Sequence, residues 1–346
     1  MKHIDIAGLG HTGKEALSDF CREFEIFAVP HPTFEFNLLR MPGGLLDLKK
    51  SIYDNWSMIL SNSEYERFKD NINRVGYKAS IKNLKKLWFS NGFNYETELN
   101  KNFTDISHKY LESLVLLSEE TFWPFDLKSP FEVNFNRFKK LIGLKGYSKS
   151  KIRLLDKDKF LFRTRDYLDD IYVNSKYLNN KTIFSVSHNA FDPNRIDDCL
   201  DMFHDAYSII VLRDPRDVYA SLFEKNTYIP KYEQNQFFKN HKFSFLMANS
   251  LKNFLLRQEF LNISISKTKN KKFLKIWFED LVINYDETLD KISSFLGINL
   301  RNYHKNKKRF FDPNISRKNI NLWKKFDNKI LKQFDANLSQ FYYPGK

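Results

Sequence analysis

Residues 206–223 read AYSIIVLRDPRDVYASLF, and the fold turns on this stretch. Ile209 to Leu212 form a short apolar run, as in a buried parallel strand. Arg213-Asp214-Pro215 then break the run. Asp214 is a good helix N-cap, and Pro215 suits the first helical position, where a backbone N–H has no intrahelical partner. The expected order is therefore strand, sharp turn, helix, with Arg213 at the carboxyl end of the strand, where open α/β sheets bind ligands. Ser221 falls about two turns into the helix, on the face of Asp214 and Asp217. An Arg fork and a Ser hydroxyl so placed can close on one phosphate. The Arg can equally cap a neighbouring carbonyl, and the stretch alone leaves both readings open.

Upstream, residues 3–24 (HIDIAGLGHTGKEALSDFCREF) predict strand, glycine loop and helix. Leu17, Phe20, Cys21 and Phe24 recur at i, i+3, i+4 and i+7, the period of one helix face. Gly8, Gly10 and Gly13 allow close approach of backbone to an anion, and the helix N-terminus adds its positive end. The string Gly8 to Lys14 matches G-x-x-x-x-G-K, but Glu15 follows. ATP- and GTP-binding loops place there a hydroxyl that holds Mg²⁺. A lone carboxylate beside phosphates repels them unless it points away.

Downstream of the loop, IFAV and FEFNLL within residues 26–40 are expected strands, and Met41-Pro42-Gly43-Gly44 is a break. Residues 45–159 change to helical patterns, among them DISHKYLESLVLL with Ile106, Tyr110, Leu114 and Leu117 on one face. Trp56, Trp88, Phe122, Trp123 and Phe125 in this region are core residues or the lining of an acceptor pocket. A helix is expected at 164–178, then a strand from Thr182 to Val186 ended by Ser187-His188. An amphipathic helix is expected at 241–263, and strand, turn and helix at 271–298. Glu279-Asp280 after that strand mimics the acid of a kinase-type phosphate site. A terminal helix is expected at 328–342.

The 206–223 stretch resembles the 3′-phosphate segment of sulfotransferases that use 3′-phosphoadenosine 5′-phosphosulfate (PAPS). Their pattern is an apolar strand and then R-x-P-x-D-x-x-x-S, filled here by Arg213, Pro215, Asp217 and Ser221. The glycine loop resembles that family's 5′-phosphosulfate loop, roughly G-x-x-R/K-S-G-T-T. His11 takes the basic position, Thr12 the Ser position, and Lys14 and Glu15 replace the two Thr residues. His188, 25 residues before Arg213, resembles the strand-end T-H-L-P segment whose His is the general base, with Asn189-Ala190 in place of Leu-Pro. Residues 271–298 resemble the segment v-x-Y-E-D-L followed by a helix ending F-L-G. Arg317-Lys318-Asn319 with Trp323 resembles the C-terminal loop that closes over the 3′-phosphate, Asn319 replacing a Gly.

The resemblance implies one α/β domain over 1–346: a mostly parallel, P-loop-like sheet flanked by helices. Residues 45–159 would be a helical insertion capping the acceptor side. It implies transfer of a sulfuryl group from PAPS, with no metal, to a hydroxyl acceptor. The implied catalytic residues are His188 as base, with Lys14 or His11 stabilising the leaving group. The implied PAPS-binding residues are Gly10, Thr12, Gly13, Lys14, Glu15, Arg213, Ser221, Arg317 and Lys318. Two other readings stay open: an ATP-dependent kinase, favoured by Lys14, and a non-catalytic nucleotide- or glycan-binding relative.

Composition bounds the partners. The 346 residues carry a net charge of +14 and 34 Phe. That is enough apolar material for a core and enough positive charge to favour anionic partners. No nucleic-acid module is recognisable and the Lys residues are scattered, so the expected partner is a small molecule or glycan, with a carbohydrate or glycolipid acceptor and not a nucleic acid. No apolar window is long enough for a transmembrane helix, which leaves peripheral membrane contact open. With no signal-peptide pattern, the expected location is cytoplasmic. Cys21 and Cys199 make no disulfide framework or metal spacing.

Overall fold

A computed structural model describes residues 1–32, 34–77, 93–121, 130–143, 149–224, 250–305 and 308–345. The chain forms two compact units, Met1–Leu39 with Val173–Lys346, and Arg40–Tyr172. Among the described residues the strands, in chain order, are β1 (Lys2–Gly8), β2 (Phe27–Ala28), β3 (Val115–Thr121), β4 (Ser150–Leu155), β5 (Phe184–His188), β6 (Ala206–Leu212) and β7 (Phe273–Trp277).

The first unit holds a five-stranded sheet in the order β2-β5-β1-β6-β7, with every neighbouring pair parallel. This is the α/β class expected from sequence. Parallel strands need crossovers, and helices on the faces bury the sheet. Accordingly Ile4, Ile6, Val186, Ile209 and Val211 are almost wholly buried, and helix α1 (Lys14–Arg22) adds Leu17, Phe20 and Cys21 to the same core. Each such Leu or Phe contributes roughly 1.5–3 kcal/mol. Burial also pushes the Cys21 thiol up to about 12, so it is inert packing. Ala7 and Ile210 bury the other face against Ile265 of the helix Leu251–Lys267.

Register sets the site. Ile6 pairs with His188, and Gly8 with Val211; Leu212 pairs with Trp277. The glycine loop, His188, Arg213 and Phe278 therefore leave the same carboxyl edge of the sheet.

The second unit is not wholly helical. Val115 to Leu117, expected to end a helix, instead open the strand Val115–Thr121, which pairs antiparallel with Ser150–Leu155. The helix Phe103–Ser113 ends with Leu114 as C-cap, and Leu117 is exposed on β3. Asn62, on the helix Met58–Gly76, holds the hairpin through a reciprocal pair: its Nδ2 donates to the Arg153 carbonyl at 2.8 Å, and its Oδ1 accepts from the Arg153 amide at 2.7 Å.

Three further expectations change. FEFNLL makes no strand, although Phe34, Phe36 and Leu38 are buried. The helix expected at 164–178 is Phe160–Val173. The described part of the one expected at 241–263 is Leu251–Lys267. Trp56 is 48% exposed, while Trp88, Phe122, Trp123 and Phe125 lie outside the described residues.

Candidate active site

The loop between β1 and α1 is built for close approach. His11 (φ 65) and Gly13 (φ 92) adopt left-handed backbone, and α1 opens on Gly13 with no side-chain cap on its amides. A Cβ on Gly13 would stand 2.4 Å from the Phe278 ring, and one on Gly8 2.6 Å from Thr12 Oγ1. Gly13, left-handed and packed on that ring, therefore requires glycine, while a side chain at Gly8 would displace the Thr12 hydroxyl. Thr12 is buried and its hydroxyl donates to the Leu9 carbonyl at 2.8 Å, so it shapes the loop. Successive amides at a turn and a bare helix N-terminus form a positive concavity suited to phosphate.

Arg213 leaves the end of β6 and clamps two segments. Its Nη1 donates to the His11 carbonyl at 2.8 Å and its Nη2 to the Asn319 carbonyl at 2.6 Å. Its guanidinium also lies over the Phe278 ring at 5.1 Å. Both readings of the sequence therefore meet here: the Arg caps carbonyls, and those carbonyls belong to the glycine loop and the C-terminal loop. Ser221 Oγ lies 3.2 Å from His11 Nδ1 and donates to the Val218 carbonyl at 2.9 Å. Asp214 accepts from the Arg216 amide at 2.9 Å, the N-cap bond expected for the helix Pro215–Glu224.

Asp217 explains its own place in the motif. Its carboxylate accepts from the Asn321 amide at 2.8 Å and the Trp323 amide at 3.1 Å. Burial raises its pKa, while the Trp323 amide, Arg213 and the Asn321 amide pull it back. Arg216 adds a stack on Trp323 and Tyr342, 4.0 and 3.7 Å from the ring centres. The C-terminal loop is thus fixed to the first two turns of this helix, with Arg317 and Lys318 exposed beside Asn319.

A second cluster stands at the end of β5. Lys14, 7% exposed, reaches Glu35 Oε1 at 3.4 Å. The same oxygen accepts from Asn189 Nδ2 at 2.9 Å. Asn189 has φ 60, a conformation Asn tolerates better than most residues. His188 is 8% exposed, and its Nε2 is buried with no hydrogen-bond partner among the described residues. Burial first and the Lys14 ammonium second push its imidazole down to about 4. Beneath it, Asp5 Oδ1 accepts from the Ser187 hydroxyl and the Ala190 amide, each at 2.8 Å. His3 joins the ladder through Ser185 and Ser187 at 2.8 and 3.0 Å, and burial holds it neutral, near 3.

The structure brings His11, Arg213 and Ser221 together at one end of the crevice. It brings Lys14 to the other end, within electrostatic reach of His188. Gly10 and Gly13 lie in the loop between them, and Glu15 is exposed on the first turn of α1. Glu279, which mimicked a metal-binding acid, sits on the first turn of the helix Phe278–Ile283 and accepts from the Asp214 amide at 2.9 Å. Sequence reasoning missed Glu35 and Asp5 as parts of this edge, and gave Glu279 a phosphate-site acid's place where the structure has it hold the Asp214 amide. Asp5 carried a usable signal, a charge in the middle of an apolar strand; Glu35 carried none.

The glycine loop and the buried His188 thus meet at the carboxyl edge of a parallel sheet, where open α/β sheets bind ligands. A family model described as the sulfotransferase domain matches residues 136–335, more than half of the chain, and the protein belongs to that family. The match spans His188, Arg213, Asp217, Ser221, Arg317 and Lys318, and begins after the glycine loop. Among solved structures, the sulfotransferase domain of the Synechococcus PCC 7002 olefin synthase is 11% identical, with 100% of this chain and 96% of that one covered and a TM-score of 0.39. Sulfotransferase STF9 from Mycobacterium avium is 12% identical, with 98% and 76% covered and a TM-score of 0.35. No curated protein matches the chain.

Proposed function

We propose that the protein transfers a sulfuryl group from PAPS to a hydroxyl acceptor at this edge of the sheet. The observation that carries the proposal is the convergence of Arg213 and Ser221 on His11. It joins the R-x-P-x-D-x-x-x-S segment and the glycine loop into one cradle with two anion ends. The residues fit such a donor: a guanidinium and a hydroxyl at one end, and left-handed backbone with an uncapped helix terminus at the other. The buried, unpartnered His188 Nε2 stands ready for a reacting proton.

When bound, PAPS supplies the sulfuryl group and a stable phosphate leaving group. The loose transition state of such transfers asks the protein mainly for positioning and charge. The loop amides and the α1 terminus hold the 5′-phosphosulfate. Arg213 and Ser221, with Arg317 and Lys318 alongside, hold the 3′-phosphate. Lys14 stabilises charge on the departing oxygen, because it stands on the His188 side of the cradle, whereas His11 faces Ser221. His188 takes the acceptor proton at Nε2. Its depressed pKa keeps it neutral, and so able to accept, throughout the neutral range.

The test is a mass-spectrometric screen for acceptors that gain a sulfate from PAPS. Transfer is expected with wild type and not with His188→Ala, while PAP still binds the variant. An acceptor that gains phosphate from ATP instead would overturn the proposal.

A further inference from the structure

Asp5 is 0% exposed in the middle of β1, and one of its oxygens serves two donors. Oδ1 accepts from the Ser187 hydroxyl and from the Ala190 amide, each at 2.8 Å. Those donors flank His188 and Asn189, so a single atom grips both ends of the segment that carries the imidazole. The next residue of β1 adds a third hold: the Ile6 carbonyl accepts from the Asn189 amide at 3.0 Å. Register brings these groups together, since Asp5 pairs with Ser187 and Ile6 with His188.

The segment needs this hold. His188 is the last residue of β5, and the chain leaves it through Asn189 at φ 60. Left-handed backbone at a residue other than glycine persists only where the surroundings fix it. A buried carboxylate also carries a cost of its own, because it gives up its hydration. An apolar residue at this place in the strand would avoid that cost. The acid therefore answers a demand for its acceptor oxygen, and two donors on that oxygen offset part of the cost.

Asp5 acts without touching the ring. Ser185 and Ser187 meet His3 and Asp5 on one face of the sheet, and successive strand residues point to opposite faces. Val186 and His188 therefore point to the other face, where Val186 shares a core with Leu17 of α1. The charges acting on the imidazole include Lys14, Glu15, Glu35 and Arg22. The hold of Asp5 on His188 runs through the backbone.

We infer that Asp5 is the positioning residue for the base: by holding the Ser187 hydroxyl and the Ala190 amide it fixes the backbone on both sides of His188, and with it the direction of Nε2. The inference rests on the donor reading above, in which His188 is that base. A reacting group misplaced by about 1 Å loses about 10²-fold in rate, so a base at the very end of a strand depends on anchorage beyond it.

The experiment is NMR titration of the His188 ring in the unliganded protein, its signal identified by its loss in His188→Gln. Amide exchange at Ala190 and calorimetric titration with PAP accompany it. In Asp5→Ala the Ala190 amide should exchange about tenfold faster or more. The imidazole, released from its buried setting, should titrate at least about one unit closer to 6.5, with PAP affinity within a few-fold of wild type. Asp5→Asn keeps an oxygen that accepts two bonds and should restore both the exchange and the titration. Its added amide faces Ser208, the register partner on β6, whose buried hydroxyl has no hydrogen-bond partner among the described residues. Asp5→Leu keeps the volume filled and replaces the Ala variant should that one not fold. Faster Ala190 exchange with an unmoved His188 titration would overturn the positioning role. So would an Asn variant that behaves like Ala, or a loss of PAP affinity parallel to the His188 shift, the mark of a general loosening of the edge. Failure of PAP to bind wild type would instead overturn the donor reading, and the base role with it.

Discussion

Ser221 Oγ lies 3.2 Å from His11 Nδ1, across 210 residues of chain. That contact and the Arg213 bond to the His11 carbonyl make the glycine loop and the β6 turn one structure. A hydrogen bond to a charged group contributes roughly 1.5–3 kcal/mol. Ser221→Ala should therefore shrink the rise in unfolding temperature produced by a fixed PAP concentration. The unliganded protein should change little, because the Ser221 hydroxyl otherwise serves only its own helix and His11. A thermal shift by PAP equal to that of wild type would remove Ser221 from the site.

Lys14 is predicted to act on turnover more than on binding. Removing a donor aimed at developing charge costs on the order of 10²–10³ in rate. Lys14→Ala should lower kcat by about that factor while PAP affinity stays within a few-fold. Weak binding with near-normal kcat would instead assign Lys14 to ground-state binding and move leaving-group stabilisation to His11. Glu35→Gln keeps a partner for Asn189 but removes the Lys14 counter-charge, and should alter kcat with little loss of stability.

His188 carries a pH signature. Its imidazole is neutral down to about 4 in the folded chain, against an ordinary value of 6.5. Between those values the unfolded chain binds more protons, so this group's contribution to stability is present above about 6.5 and is lost as pH falls toward 4. The full effect is roughly 3 kcal/mol. His188→Gln should flatten the stability profile across that window. A nearby anion favours the imidazolium, so NMR titration should show the His188 pKa rising when PAP binds. General-base loss costs ~10²–10⁴-fold, and His188→Ala should lose transfer by that order with PAP binding intact.

Glu279 has the opposite sign. Burial lifts its carboxyl from 4.5 to about 7, and Oε2 is buried with no partner among the described residues. Here the folded chain binds the extra proton between those values, so stability falls as pH rises through 7. Glu279→Gln keeps an acceptor for the Asp214 amide and removes the charge. Calorimetric melting should show it stabilised relative to wild type above pH 7 and nearly unchanged near pH 5.

Asp217 is predicted to be the anchor of the C-terminal loop. Asp217→Ala leaves the Asn321 and Trp323 amides without their acceptor. Hydrogen exchange at those two amides should accelerate strongly, with PAP affinity falling as Arg317 and Lys318 lose their placement. Protection equal to wild type would show that Arg213 and the Arg216 stack hold the loop unaided.

The parts of the fold legible in sequence were those where pattern and partner coincide. Leu17, Phe20 and Cys21 lie on one face of α1 and enter the core together. The run Ile209 to Leu212 is flanked on both sides by parallel strands. FEFNLL shows the limit: alternation reports alternate burial, and Phe34, Phe36 and Leu38 are indeed buried, but a ladder also needs a neighbour that no local pattern announces. Leu117 shows the converse, since the strand it joins is set by pairing with Leu154 and not by its helical spacing from Tyr110. At the site, Arg213, Ser221, Lys14 and His188 were legible as motif positions. Glu35 was not, because a lone acid between two phenylalanines gains meaning only when folding sets it against Lys14 and Asn189.

The most direct test of the donor assignment is calorimetric titration of the wild-type protein with PAP and with 5′-AMP, which lacks the 3′-phosphate. A cradle in which Arg213 and Ser221 grip that phosphate predicts PAP binding at least about tenfold tighter than AMP, with the difference erased in Arg213→Ala. Equal affinity for the two nucleotides would contradict the account, because the chain would then have no 3′-phosphate site.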